Sequence, residues 1–112
     1  MNKVRLTPEA VRELTEIRRY ISEELANPSA AQHVVSSITE NIHLLERRAM
    51  AGQSTEALTG HPMDFYIPVY GKHIALYRAE GSIVSVARVI NARQDYIRLL
   101  FGDISPSTQQ NT

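Results

Sequence analysis

Residues that could take part in chemistry are concentrated between positions 72 and 98. Five cations stand there against two carboxylates, an excess of three positive charges. The cations are Lys72, Arg78, Arg88, Arg93 and Arg98, and the carboxylates are Glu80 and Asp95. His73 lies among them and could act as a general base, because imidazole titrates near neutral pH; a solvent-facing histidine at the start of a strand is the simpler interpretation. Any surface that binds an anion is therefore expected in this segment.

No other grouping of residues favours a catalytic or metal site. The chain has no cysteine, which excludes disulfides, thiolate metal ligands and cysteine nucleophiles. His43 and Glu46 are three positions apart and could both reach a metal, but a solvated helix face explains them better. The pairs Arg18-Arg19 and Arg47-Arg48 are also interpreted as solvated helix surface rather than as partner sites. We expect neither a metal nor another cofactor.

The composition is that of one globular domain. Hydrophobic residues make up 43% of the 112 positions and charged residues 21%, which is too apolar for a disordered chain. Twelve Lys and Arg balance twelve Asp and Glu. A net charge of zero argues against a general nucleic-acid binder, whose affinity comes largely from neutralising phosphates. No segment resembles a secretory signal or a membrane span, so we expect a soluble cytoplasmic protein.

The first half of the chain predicts a strand and a helical hairpin. Residues 2–6 alternate charged and apolar side chains, which is typical of a half-buried strand. Apolar residues recur at helical spacing over 8–25 and again over 28–48. Both segments follow a capping residue and a proline, Thr7-Pro8 and Asn27-Pro28. The short connection favours an antiparallel pair of helices.

The second half predicts three strands and a short helix. A loop over 49–62 precedes runs of aromatic and β-branched residues over 65–70, 73–79 and 82–90. Pro68 indicates an edge strand or a bulge in the first of these runs. Residues 93–101 have a helical pattern that ends at Gly102, and residues 103–112 are expected to be a disordered tail.

These elements, in the order β-α-α-β-β-β-α, predict an α+β fold of two layers. A helical hairpin has to bury its apolar stripe, and one face of the sheet is the surface available for it. We expect a single domain over 1–102, with both helices on one face of an antiparallel sheet that the N-terminal strand extends. The C-terminal segment, a partner, or both would cover the opposite face.

Four short motifs follow one another along these elements. They are Leu6-Thr7-Pro8-Glu9-Ala10, Asn27-Pro28-x-Ala30-Ala31, Leu76-Tyr77-Arg78 and Ala87-Arg88-Val89-Ile90-Asn91-Ala92-Arg93-Gln94-Asp95-Tyr96. In this order and spacing they resemble the RelE/ParE superfamily of toxins, and the resemblance covers residues 2–102. It implies the toxin of a bacterial type II toxin–antitoxin module, neutralised in a hetero-oligomer by an antitoxin encoded beside it. Operator DNA would be met only through that antitoxin, and no membrane is involved.

The resemblance implies one of two mechanisms. RelE-like members cut mRNA in the ribosomal A site, whereas ParE-like members poison DNA gyrase and lack that nuclease chemistry. The RelE-like pattern has lysines at the positions of Phe65 and Ile67, arginines at those of Ile74 and Arg93, and a tyrosine near Leu99. Only Arg93 is retained. Because apolar side chains can neither balance a phosphorane nor transfer a proton, the sequence favours the ParE-like branch.

Two alternatives remain open beside a ParE-like gyrase inhibitor. One is a ribosome-dependent mRNA endonuclease, with ribosome and mRNA as its partners. Its candidate catalytic residues would be Arg93, Tyr96, His73, Arg78 and Lys72. The other alternative is a degenerate toxin that only binds its antitoxin.

The resemblance also indicates where partners would bind. It places target contacts in the C-terminal segment, at Arg93, Tyr96 and Arg98. The antitoxin is expected on the helical hairpin and the sheet edge, and its candidate contacts are Ile17, Tyr20 and Ile21.

Overall fold

A helical hairpin covers one face of a five-stranded sheet in the computed structural model, which describes residues 1–92. The strands are β1 (Lys3–Leu6), β2 (Gln53–Ser54), β3 (Asp64–Tyr70), β4 (His73–Glu80) and β5 (Ile83–Asn91). The helices are α1 (Pro8–Arg19), α2 (Pro28–His43) and the short α3 (Glu56–Thr59). The helix predicted over 93–101 and the tail from 103 lie outside the described residues.

Both helices of the hairpin begin at the predicted caps. The hydroxyl of Thr7 accepts a hydrogen bond from the backbone N–H of Ala10 at 3.1 Å, and the Asn27 side chain accepts one from Ala30 at 3.1 Å. A proline follows each cap, where its missing N–H has no partner to lose. The capping signals therefore predicted both starts correctly.

The ends of the two helices differ from the expectation. The first was predicted to run to residue 25, but α1 ends at Arg19 and a π-helical turn continues it over Tyr20–Glu24. The second was predicted to run to residue 48, but α2 ends at His43 and a 3₁₀ turn occupies Leu44–Glu46. Apolar spacing alone cannot separate these tighter and wider turns from a regular α-helix.

The sheet is mixed and has the order β1-β5-β4-β3-β2. β1 pairs with β5 in parallel, and the other neighbours are antiparallel. A register shift between Pro68 and Tyr70 confirms the bulge that the proline indicated. β2 and α3 lie within the segment that was predicted to be a loop. They were not predicted because elements of two and four residues are too short to show a period.

The main core lies between the hairpin and the sheet. Its most buried large side chains come from both layers: Ile38, Ile42, Leu45, Val69, Val84, Val86 and Val89. A second, smaller cluster lies on the other face of the sheet, which we call the open face. It consists of Ile74, Leu76 and Ile90, with Tyr66 and Ala92 packed against it.

Candidate functional site

The candidate catalytic residues of β4 do not form one site. Lys72 lies in the turn before the strand, His73 begins it, and Arg78 follows five positions later. Five residues of extended chain span about 16 Å. Alternation along the strand also directs His73 and Arg78 to opposite faces of the sheet. A base and a cation so separated cannot act on the same phosphate.

Arg78 is held by a carboxylate on the neighbouring strand. Its Nε donates to Oδ1 of Asp64 at 2.6 Å, and a terminal nitrogen donates to Oδ2 at 3.2 Å. Because this hydrogen-bonded cation stabilises the charged carboxylate, it lowers the pKa of Asp64 despite some opposition from burial. The same hydrogen bond raises the pKa of the Arg78 guanidinium. The charge of Arg78 is therefore already matched by Asp64.

A histidine missed at the sequence level lies beside this pair. Nδ1 of His61 is 3.6 Å from Oδ1 of Asp64, and Nε2 is 3.9 Å from Oε2 of Glu80. The same Nδ1 accepts a hydrogen bond from the backbone N–H of Met63 at 3.1 Å. These groups come together through strand register, so no local motif in the sequence indicates the cluster. Both carboxylates also act on the Arg78 charge, Asp64 by a direct hydrogen bond and Glu80 by its charge.

The positions that match the nuclease lysines are apolar and face the main core. Phe65 belongs to the main core, and Ile67 packs against it from the same side of β3. Ile74 is buried in the open-face cluster. Shifting the match by one residue would bring Asp64 and Tyr66 to the open face, and neither is a cation. Either register leaves β3 without positive charge on that face.

Arg88 is held at the edge of β5. Its Nε donates to Oε2 of Glu13 on α1 at 2.7 Å, and Oε1 of the same carboxylate accepts from the backbone N–H of Val89 at 2.8 Å. The Thr7 hydroxyl donates to the carbonyl of Ala87 at 2.9 Å. These contacts cover the part of β5 that extends beyond β1, so Glu13 and Arg88 have a structural role at this edge.

A groove of about 490 Å³ separates α3 from the open face. Leu58, Leu76 and Ala87 give it an apolar lining, and Arg78 and Arg88 also border it. Its polar lining also includes Thr55, Thr59 and Asp64, and this carboxylate is paired with Arg78.

The antitoxin candidates lie on the hairpin with different exposure. Tyr20 is 52% exposed, whereas Ile17 and Ile21 are half-buried. Ile17 packs against the main core. Three more apolar side chains of the hairpin and of its helix ends are more than half exposed: Val11, Leu25 and Leu44. Tyr20 is the candidate best placed to contact a partner without a role in the core.

The target-binding candidates Arg93, Tyr96 and Arg98 lie outside the described residues, as does Leu99. Over residues 1–92, no group of three or more metal-ligating side chains comes together. His43 lies 3.4 Å from Glu46 on the surface, and the His33 ring meets Tyr70 edge-on. None of the helices in 1–92 has both the length and the apolar character needed to cross a membrane.

Comparisons with known proteins agree with this arrangement. The family model described as "ParE toxin of type II toxin-antitoxin system, parDE" matches residues 4–96. A chain in the solved structure titled "Chromosomal ParDE TA system from P. aeruginosa" has the same fold, with a TM-score of 0.68 and 21% sequence identity. That similarity covers 81% of this chain and 96% of the other. The search of curated proteins gave no match.

Proposed function

The chain belongs to the ParE toxin family of type II toxin–antitoxin systems, and we propose that it acts by binding DNA gyrase rather than by cutting RNA. As a toxin of such a module it has an antitoxin as its partner. We place the toxin in the cytoplasm, where gyrase and the antitoxin would be found. The antitoxin would neutralise it in a hetero-oligomer and would carry it to operator DNA.

The state of the open face is the observation that favours binding over RNA cleavage. A 2′-OH attack on RNA needs a base, an acid and cations that balance the phosphorane. On this face Arg78 is matched by Asp64, and Ile74 stands where the related nucleases carry an arginine. The alternation of side chains along β4 places His73 on the opposite face of the sheet. These residues support a toxin that recognises a protein target.

We assign the two partners to different segments of the chain. Arg93, Tyr96 and Arg98 would contact gyrase, since the family resemblance places functional residues in that segment. Ile17, Tyr20 and Ile21 would contact the antitoxin, and the exposed tyrosine supplies the kind of side chain that dominates protein interfaces. Different contact residues would let binding to each partner be changed independently.

Growth and enzyme assays test this proposal in sequence. Production of the toxin without its antitoxin should arrest growth, and the purified toxin should inhibit supercoiling by purified gyrase. Growth arrest with A-site cuts in translated mRNA and no effect on gyrase would assign the nuclease mechanism instead. Unaffected growth would indicate a degenerate toxin that only binds its antitoxin.

A further inference from the structure

A second groove, of about 540 Å³, lies at the corner where the loop after α2 meets the turn between β4 and β5. We call it the Arg47–Arg48 groove. Arg47 and Arg48 line it together with Met50, Met63 and Ala79. It lies on the hairpin side of the sheet, since Ala79 belongs to the main core and Met63 packs against that core.

The groove is built from fixed backbone rather than from a free loop. The N–H of Asn2 donates to the carbonyl of Glu46 at 2.8 Å, which attaches the start of β1 to the 3₁₀ turn. The N–H of Ala51 donates to the carbonyl of Arg48 at 3.0 Å. The Tyr77 hydroxyl donates to the carbonyl of Ala49 at 2.8 Å and accepts from the N–H of Gly52 at 3.0 Å. Both arginines are therefore held at defined positions in a short, anchored segment.

The two arginines are exposed but do not lie on a helix surface, where the sequence analysis placed them. They follow the end of the 3₁₀ turn, and their neighbour Glu46 contacts His43. Within residues 1–92, neither guanidinium takes part in an ion pair, and both residues are exposed. This corner therefore carries two adjacent positive charges that no described carboxylate balances.

Apolar surface lies next to these charges. Met50 is 60% exposed, and Met63 and Ala79 continue the lining toward the core. Methionine adapts its shape to an incoming apolar side chain, and arginine forms paired hydrogen bonds with a carboxylate. A phosphate backbone would use the arginines but would gain nothing from the apolar lining. The combination fits an acidic polypeptide segment that also carries an apolar side chain.

We propose that the Arg47–Arg48 groove binds an acidic, partly apolar segment of the antitoxin. The proposal rests on the chain being a toxin with an antitoxin partner, and not on gyrase being its target. The groove would be a charged contact site in addition to the apolar one on the hairpin. It lies at the opposite end of β4 from Lys72. The arginines would give this contact its salt dependence.

Charge reversal at the groove tests the proposal in the full-length toxin. Arg47→Glu and Arg48→Glu are compared with Lys72→Glu, which makes the same change of charge in an exposed turn roughly 23 Å along β4 from Ala79. Affinity for the purified antitoxin is measured by calorimetry at 50 mM and 500 mM NaCl. Each arginine variant should bind at least threefold more weakly than the Lys72 variant at low salt, and the difference should shrink at high salt. Thermal melting of the free toxin should be unchanged, because all three side chains are exposed.

Three outcomes would overturn the proposal. The first is affinity of both arginine variants within twofold of the Lys72 variant. The second is unchanged antitoxin binding with loss of binding to a labelled DNA or RNA oligonucleotide, which would assign the groove to nucleic acid. The third is a wild-type toxin that does not bind the antitoxin, which would show that the antitoxin is not its partner. A failure to inhibit gyrase leaves all of these readouts intact and so refutes only the proposed target.

Discussion

Replacing Tyr77 with phenylalanine should release the segment that carries Arg47 and Arg48. Tyr77 is 2% exposed, and its ring stacks on Phe65 with a centroid distance of 5.6 Å. Its hydroxyl makes two hydrogen bonds to the segment, one to Ala49 and one to Gly52. Burial raises the pKa of this hydroxyl, opposed in part by the Gly52 contact. The group therefore remains a protonated donor at neutral pH.

The expected loss follows from those two hydrogen bonds. Each contributes about 0.5–1.5 kcal/mol net, and a partner left unsatisfied in a buried place costs more. The phenylalanine ring would keep the packing on Phe65, so the cavity term is small. We expect a loss of about 2 kcal/mol in the free energy of unfolding, which corresponds to a fall of roughly 8 °C in the melting temperature of a domain of this size.

Tyr70→Phe is the matched control for this prediction. Tyr70 is 37% exposed, and its ring meets His33 at a centroid distance of 5.8 Å. Removing its hydroxyl should change stability by less than about 0.5 kcal/mol. Chemical denaturation and thermal melting of both variants give the comparison. A Tyr77→Phe protein as stable as Tyr70→Phe would show that the hydroxyl does not anchor the loop.

Three further predictions concern the same fold and its surfaces. Gly52→Ala should destabilise more than Tyr77→Phe in thermal melting, because a Cβ would lie 2.5 Å from the Tyr66 carbonyl oxygen and 2.6 Å from the Tyr77 hydroxyl; equal stability to wild type would contradict it. Asp64→Asn should lower the melting temperature at pH 7, and the difference from wild type should shrink as the pH falls below about 4 and then through the lowered pKa of Asp64, because a carboxylate with a lowered pKa stabilises the fold only while it is ionised. A difference that stays constant as the pH falls would count against the Arg78 contact as its cause. Tyr20→Asp should leave melting unchanged, since the side chain is 52% exposed, and should weaken antitoxin binding about tenfold or more in calorimetry; binding within twofold of wild type would exclude Tyr20 from the interface.

Local signals predicted the parts of the fold that local chemistry determines. The side chains of Thr7 and Asn27 accept the hydrogen bonds that their positions before a proline suggested, and Pro68 lies at a bulge. The parallel pairing of β1 with β5 joins Lys3 to Ile83 and brings together the two ends of the described chain. No pattern within either segment specifies that long-range contact.

Elements that depend on a partner strand were missed for the same reason. β2 has two residues, which pair with Tyr66 and Phe65 of β3. Its extended conformation comes from those hydrogen bonds and not from a periodic sequence. α3 is one turn long and ends at Gly60, where a φ of 79° allows the chain to leave the helix. A glycine in a polar segment is equally typical of a loop.

The candidate site was predictable in residue type but not in geometry. The sequence indicated that apolar residues replace the nuclease cations, and Ile74 is indeed buried in the open-face cluster. The ion pair of Arg78 with Asp64 was not predicted, since strand register places the two residues opposite each other. Separation of His73 from Arg78, and the roles of His61 and Glu13, required the three-dimensional arrangement.

DNA cleavage by purified gyrase shows most directly whether the toxin acts on this enzyme. Toxin, gyrase, ATP and supercoiled plasmid are incubated with and without the purified antitoxin, and trapped cleavage is scored as linear DNA. We expect linear DNA with micromolar toxin and its disappearance when antitoxin is added in molar excess. Plasmid that stays supercoiled at the same toxin concentration would contradict gyrase as the target, provided that inducing the toxin gene arrests growth in cells.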